Sequence, residues 1–344
     1  MSVPDPAPPR KPRRLWLYLP YILLLGALIV WTGLWFAARR GAETRIAAYA
    51  QTLRAGGVEV DWDQADYGGY PFRLNVTLSG LRIRDPGGWG ISAPKLEAQA
   101  YMHGLDVWVL AAPQGASLHR PLSGDLQVRG ELLRASLAGL SKPLARFSLE
   151  GRDLTFTPSP GARPFALSGA GSLAIHLRPG PDDQAAILLK LEKGRARPGG
   201  LMAIAAPGKP VDLSLELIAS HASAFRGPGI GAAGRAWRRA GGDLEVRQLG
   251  LSAGDLSVGA EGQGLGTDAE GRLQGRLQLS LRNADPLLPA LAQTGLAAPE
   301  AAAAAQLVLQ ARQGVSQAGA PDLIFQAGRT TLGPVALGPS PRLY

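Results

Sequence analysis

The sequence predicts a mainly β protein, with elongated, curved antiparallel sheet(s), a single N-terminal transmembrane helix and a few short helices. Three observations carry that prediction. Residues 15–38 (LWLYLPYILLLGALIVWTGLWFAA) hold no charged side chain. Beyond Gly57 the apolar residues alternate with polar ones, the two-residue period of a half-buried strand. The separators are turn residues, and no long helical pattern supplies the crossovers that parallel strands require.

The uncharged run is 24 residues long. As a helix it reaches roughly 36 Å, enough to cross a hydrocarbon core of ~30 Å with some tilt. Trp16, Tyr18 and Tyr21 stand near one end and Trp31 and Trp35 near the other, as rings at two headgroup layers would. Pro20 falls in the first turns, where a missing amide donor does least damage. The length of the run, and Arg39 and Arg40 at its exit, argue against a cleaved secretory signal. Arg10, Lys11, Arg13 and Arg14 on one side outnumber Arg39, Arg40 and Arg45 on the other, which favours a cytoplasmic N-terminus.

The expected organisation follows in order. Residues 1–14, Pro-rich and basic, form a disordered cytoplasmic tail. Residues 15–38 form the transmembrane helix, and 39–55 extend it, because Ala42, Ile46, Tyr49, Ala50 and Leu53 recur at helical spacing before Gly56 and Gly57 stop it. Residues 56–344 form a periplasmic antiparallel β domain. The expected location is therefore a bacterial inner membrane, single-pass, with the bulk of the chain in the periplasm. The chain has no cysteine, so disulfides speak neither for nor against that compartment.

Within the β domain, Val58, Val60 and Trp62 alternate, as do Phe72, Leu74, Val76 and Leu78. The turn at 85–88 (DPGG) predicts a hairpin between the strand ending near Ile83 and the one over 91–102. The same pattern recurs over 125–128, 147–156, 165–177, 186–191, 211–218, 243–251, 256–260 and 273–281. Short helices are expected around 232–240, 286–294 and 299–306. Such a sheet, with little helix to cover it, must close on itself or curl into a groove that something else fills.

The formal charge is +9, but the first 45 residues hold seven of the basic and two of the acidic residues, leaving +4 for the other 299. Mixed signs and few aromatics exclude nucleic acid as a partner. The chemical motifs are weak. Residues 250–254 (GLSAG) match a nucleophile elbow, yet His103, His119, His176 and His221 all precede Ser252, and a strand follows where a helix is needed. Residues 229–234 (GIGAAG) match a phosphate-cradling loop without a strand immediately before it. Asp61, Asp63 and Asp66 lack the spacing of a calcium loop, and no zinc set exists. No catalytic residue, metal or cofactor is assigned, and the protein is expected not to be an enzyme.

Residues 69–74 (GYPFRL), the anchor, Trp237 followed by Gly241 and Gly242, and residues 332–341 (LGPVALGPSP) occur in one order. Together they resemble the alphaproteobacterial domain-of-unknown-function family numbered 2125. More distantly, the anchor, the long sheet and a G-x-L-x-G hairpin at 271–275 are similar to AsmA-like envelope proteins. That resemblance implies an elongated β structure with an apolar groove that handles phospholipid. The function expected is a membrane-anchored protein that binds acyl chains and contributes to envelope lipid homeostasis or transport, with other envelope proteins as further partners. The alternative is a scaffold or assembly factor with a closed β core and no lipid ligand. Leu74, Val76 and Leu215 are the candidate groove lining; Gly69, Tyr70, Pro71, Phe72 and Arg73 form the candidate recognition or structural motif, with Arg73 placed to reach a lipid phosphate.

Overall fold

The computed structural model describes residues 15–142, 144–313 and 321–344. The tail expected over 1–14 lies outside the described residues. Helix α1, Leu15–Ala55, unites the expected span and its extension in one element. It ends where Gly57 takes a φ of +85°, a conformation only glycine adopts freely.

All the strands belong to one sheet. In chain order they are β1 (Glu59–Asp61), β2 (Gln64–Gly68), β3 (Arg73–Arg84), β4 (Gly90–Tyr101), β5 (Val107–Ala111), β6 (Ala116–Arg120), β7 (Gly124–Arg129), β8 (Leu132–Ala138) and β9 (Arg146–Pro158). Then come β10 (Leu167–Pro179), β11 (Ala185–Ala196), helix α2 (Leu201–Ala205), β12 (Val211–Ala219), helix α3 (Ile230–Arg239), β13 (Leu244–Ala253), β14 (Leu256–Thr267) and β15 (Leu273–Arg282). Helices α4 (Leu287–Gln293) and α5 (Pro299–Gln313) precede β16 (Asp322–Gln326), β17 (Arg329–Leu332) and β18 (Val335–Pro339).

Every pairing is antiparallel, and from β9 to β18 each strand pairs with the next in sequence. Earlier in the chain three ladder positions are each filled by two short strands end to end. Both β1 and β2 pair with β3, β5 and β6 with β4, and β8 and β7 with β9. Among the described residues β1 and β18 do not pair, so the meander remains an open sheet.

The breaks in those short strands align in a seam across the sheet. In register lie Gly80, Pro94, the segment 112–115, Gly130, Asp153, Gly171 and Lys193. Gly80, Gly115, Asp153 and Lys193 all have positive φ. Apolar alternation shifts phase there: Leu74, Val76 and Leu78 give way to Leu81 and Ile83, and Phe147 and Leu149 to Leu154 and Phe156. The irregularity keeps both sets on one face. A Cβ on Gly151 would meet Leu154 side-chain carbons at 2.7 and 2.9 Å, so Leu154 leans back over the face that Leu149 and Leu173 share. Bulges of this kind bend strands and add twist.

Twist explains a long-range contact. From β4 the pairing passes through β5, β8, β9, β10 and β11 to β12. Six such steps at ~20–25° accumulate about 130°. The far end of the β3–β4 hairpin therefore meets the segment after the opposite end of β12: Asp85 Oδ2 accepts from the Ile230 amide at 2.9 Å. Gly56, at the end of α1, lies against Pro228 in the same segment. The sheet thus curls toward the face on which α1 lies.

The buried core is distributed around the margins of that face. Ala50 of α1 packs with Val58 and Val60, against Trp62 and Ile83. Leu126, Leu154, Phe156, Ala170 and Leu191 form a cluster beside the seam. Val246, Ala260, Leu265, Leu277 and Phe325 form another among the later strands. Helices α2, α4 and α5 cover the remainder, burying Met202, Val211, Ala290, Ala302 and Ala305 among others.

Candidate functional site

Between those margins lies a panel of the apolar face that, among the described residues, no helix covers. Cross-strand register builds it in rows. One row runs Val76, Ala98, Leu110, Ala135, Leu149, Ile175, Leu189, Leu215, Leu249 and Ala260, each residue facing the next across the ladder. A second, nearer the start of β5, runs Trp108, Leu137, Phe147, Leu177, Ile187 and Leu217. A third, against the seam, runs Leu133, Gly151, Leu173, Leu191 and Leu213.

Local sequence dictates these rows. Each strand alternates, and hairpin register sets odd positions opposite odd or even opposite even, so one apolar face persists from strand to strand. The other face is polar. Arg134 pairs with Glu150 at 2.6 Å, Lys190 with Glu192 at 2.6 Å and Arg276 with Asp322 at 3.4 Å, all exposed. The Lys190 ammonium, helped by a hydrogen bond from Ser172 to Glu192 at 2.9 Å, holds that carboxyl below its ordinary range.

Burial distinguishes the panel from a core. Leu110, Ala135, Leu149, Ile175 and Leu189 are all half-buried, as are Trp108, Leu137, Phe147, Leu177 and Ile187. None of them belongs to a buried cluster among the described residues. Seven ladder positions, β4 to β12, span about 29 Å at ~4.8 Å per step. The first two rows are the open part, because in the third Leu191 is buried and Leu173 and Leu213 pack on the cluster beside the seam.

Of the groove residues expected from sequence, Val76 and Leu215 share one row, and Leu74 lies two residues from Val76 on the same face. Their exposure differs. Leu74 and Val76 are 1% and 2% exposed, at the edge where α1 lies, whereas Leu215 is half-buried. The panel residues between them, from Leu110 to Leu189, were not singled out by sequence, although their alternation is visible in it.

The 69–73 segment joins the sheet to α1. The indole of Trp31 donates to the Pro71 carbonyl at 2.8 Å, that of Trp35 to the Arg73 carbonyl at 2.8 Å, and the hydroxyls of Thr32 and Tyr70 meet at 2.8 Å. Gly69 has a φ of +98°, and a Cβ there would lie 2.7 Å from the Arg73 carbonyl oxygen. The Tyr70–Pro71 bond is cis. Phe72 is 69% exposed, and the Arg73 guanidinium lies over the Tyr101 ring at 5.1 Å. Nearby, burial and the Glu43 carboxylate push the Tyr67 phenol up, as expected with α1 running over β2.

The weak chemical motifs resolve into structure. Ser252 is a strand residue of β13 paired with Ser257 across a hairpin. The glycines at 229–234 open α3, whose N-terminus already receives Asp85. Asp61 and Asp63 flank Arg82, at 3.5 and 2.8 Å. His119 binds Asp125 at 2.7 Å and His176 binds Ser148 at 3.0 Å, in separate places.

A family model described as an uncharacterized protein conserved in bacteria (DUF2125) matches residues 35–341. No curated protein and no solved structure matches the chain.

Proposed function

From the chain's membership of that bacterial family, established over most of its length, we propose that it is a membrane-anchored periplasmic protein whose curled sheet binds lipid acyl chains. The observation that carries this is the half-buried panel over β5 to β11, two apolar rows wide, bordered by buried clusters and, among the described residues, holding none itself. Apolar surface left open at this scale marks a binding face for apolar ligands or partners. Helix α1, apolar and exposed over Tyr18–Val30, is long enough to cross a bilayer, and an anchor there would bring the panel close to a source of acyl chains. The resemblance to AsmA-like envelope proteins supports the same reading. The role is non-enzymatic: retention or transfer of phospholipid at the inner membrane.

The full chain, extracted in a mild detergent and examined by native mass spectrometry, is expected to retain phospholipid. Leu189→Lys should release it while the protein stays folded. A full-length chain free of phospholipid, or equal retention by the variant, would contradict the proposal.

A further inference from the structure

The end of the sheet nearest the anchor carries a second apolar feature, outside the panel. Tyr70 is 46% exposed, Phe72 69%, Tyr101 52%, Leu105 38%, Val107 48% and Leu140 51%. Backbone hydrogen bonds make these neighbours: the Met102 amide donates to the Phe72 carbonyl at 3.0 Å and the Gly139 amide to the Asp106 carbonyl at 3.2 Å. The carboxylate within this rim, Asp106, is occupied by the Gly139 amide at 3.1 Å and the Ser141 hydroxyl at 3.4 Å. Arg73 and Lys142 are exposed beside it.

The hydrogen bonds to α1 fix the level of this rim. A hydrocarbon core of ~30 Å takes about 20 helical residues, so a span entering at Leu15 leaves near Leu34. Trp31, Thr32 and Trp35, which hold residues 70–73, bracket that exit. Aromatic rings with a polar handle, backed by cations, suit the headgroup layer.

We propose that this strand-end rim, with Tyr70 and Phe72 foremost, inserts into the headgroup layer of the membrane that α1 crosses and seats the mouth of the apolar panel on the lipid surface. The row beginning at Trp108 lies one residue inside the rim at Val107, so the start of the panel sits at the rim's edge. The proposal rests on the anchor half of the reading above and not on lipid occupying the panel.

The chain has no cysteine, so single-cysteine variants report without background. Nitroxide labels at Phe72→Cys and Leu105→Cys on the rim, Leu25→Cys in the anchor and Leu122→Cys at the far end of the sheet would be placed in full-length protein. The vesicles are phosphatidylethanolamine and phosphatidylglycerol. Relative accessibility to oxygen and to a polar nickel chelate gives depth. The rim labels are expected to show an oxygen-to-nickel ratio several-fold above that at position 122, and below that at 25. Rim labels as aqueous as position 122, with 25 in lipid, would overturn the proposal alone. An aqueous label at 25 would overturn the anchor and the rim together.

Discussion

Lysine at position 189 separates an open panel from a sealed core. Leu189 is half-buried on β11 and belongs to no buried cluster among the described residues, whereas Leu154 on β9 is 0% exposed. Lysine at 189 keeps an aliphatic stem along the face and lifts its ammonium into the trough. The loss is part of one leucine's burial, about 1 kcal/mol. At 154 the side chain is walled by the backbone of Gly130 and Gly151, each within 2.9 Å of it where a Cβ would stand. Lysine there forfeits about 2–3 kcal/mol of leucine burial and adds several kcal/mol for an unpaired buried charge. The total exceeds ~5 kcal/mol, comparable with a domain's entire stability of about 5–15 kcal/mol. Denaturant unfolding of the full-length protein in detergent, followed by tryptophan fluorescence, should show Leu189→Lys close to wild type and Leu154→Lys unfolded. Equal destabilisation by the two variants would refute the open panel and support a closed scaffold.

Gly69→Ala should destabilise the junction by about 1–3 kcal/mol, because alanine is strained at positive φ and its methyl meets the Arg73 carbonyl; faster proteolysis near residues 69–73 would show it. Trp35→Phe removes the donor to the Arg73 carbonyl and should cost about 1–2 kcal/mol, read as faster hydrogen exchange across β3. Asp183 accepts from the Ser223 amide at 2.9 Å and hydroxyl at 2.8 Å, which hold its carboxyl below the ordinary range. A depressed folded value means that the contact contributes fully at neutral pH and is lost as pH falls through that value. Amide protection at Ser223 should therefore persist through mildly acidic pH and fall only below the ordinary carboxylate range; protection lost earlier would contradict this.

The strands with a polar and an apolar face were legible because period two is a local property. Residues 211–217 and 273–281 alternate and lie within β12 and β15. The helix near 232–240 was legible for a similar reason, its apolar positions recurring at helical spacing before Gly241 and Gly242. Strands β5 to β8 were less so. Val107, Trp108, Val109 and Leu110 are apolar on both faces, and breaks at 112–115 and Gly130 interrupt the pattern. The seam is a property of register: Gly80, Asp153 and Lys193 become one line only when strands are paired. Nor could alternation distinguish buried Leu74 and Val76 from half-open Leu215, since that depends on where α1, the later helices and the curl of the sheet fall. The segment at 69–74 was visible as a motif, but its attachment to Trp31 and Trp35 spans about 40 positions and leaves no local trace.

The most direct test of the account maps where an acyl chain lies. A phospholipid carrying a diazirine at its acyl terminus would be incorporated into membranes containing the full-length protein, photolysed, and the adducts located by mass spectrometry. Adducts within residues 107–138 and 146–219, centred on the row through Leu149, Ile175 and Leu189, are predicted in addition to those on the anchor. Adducts confined to residues 15–38 would contradict the claim that the sheet receives lipid.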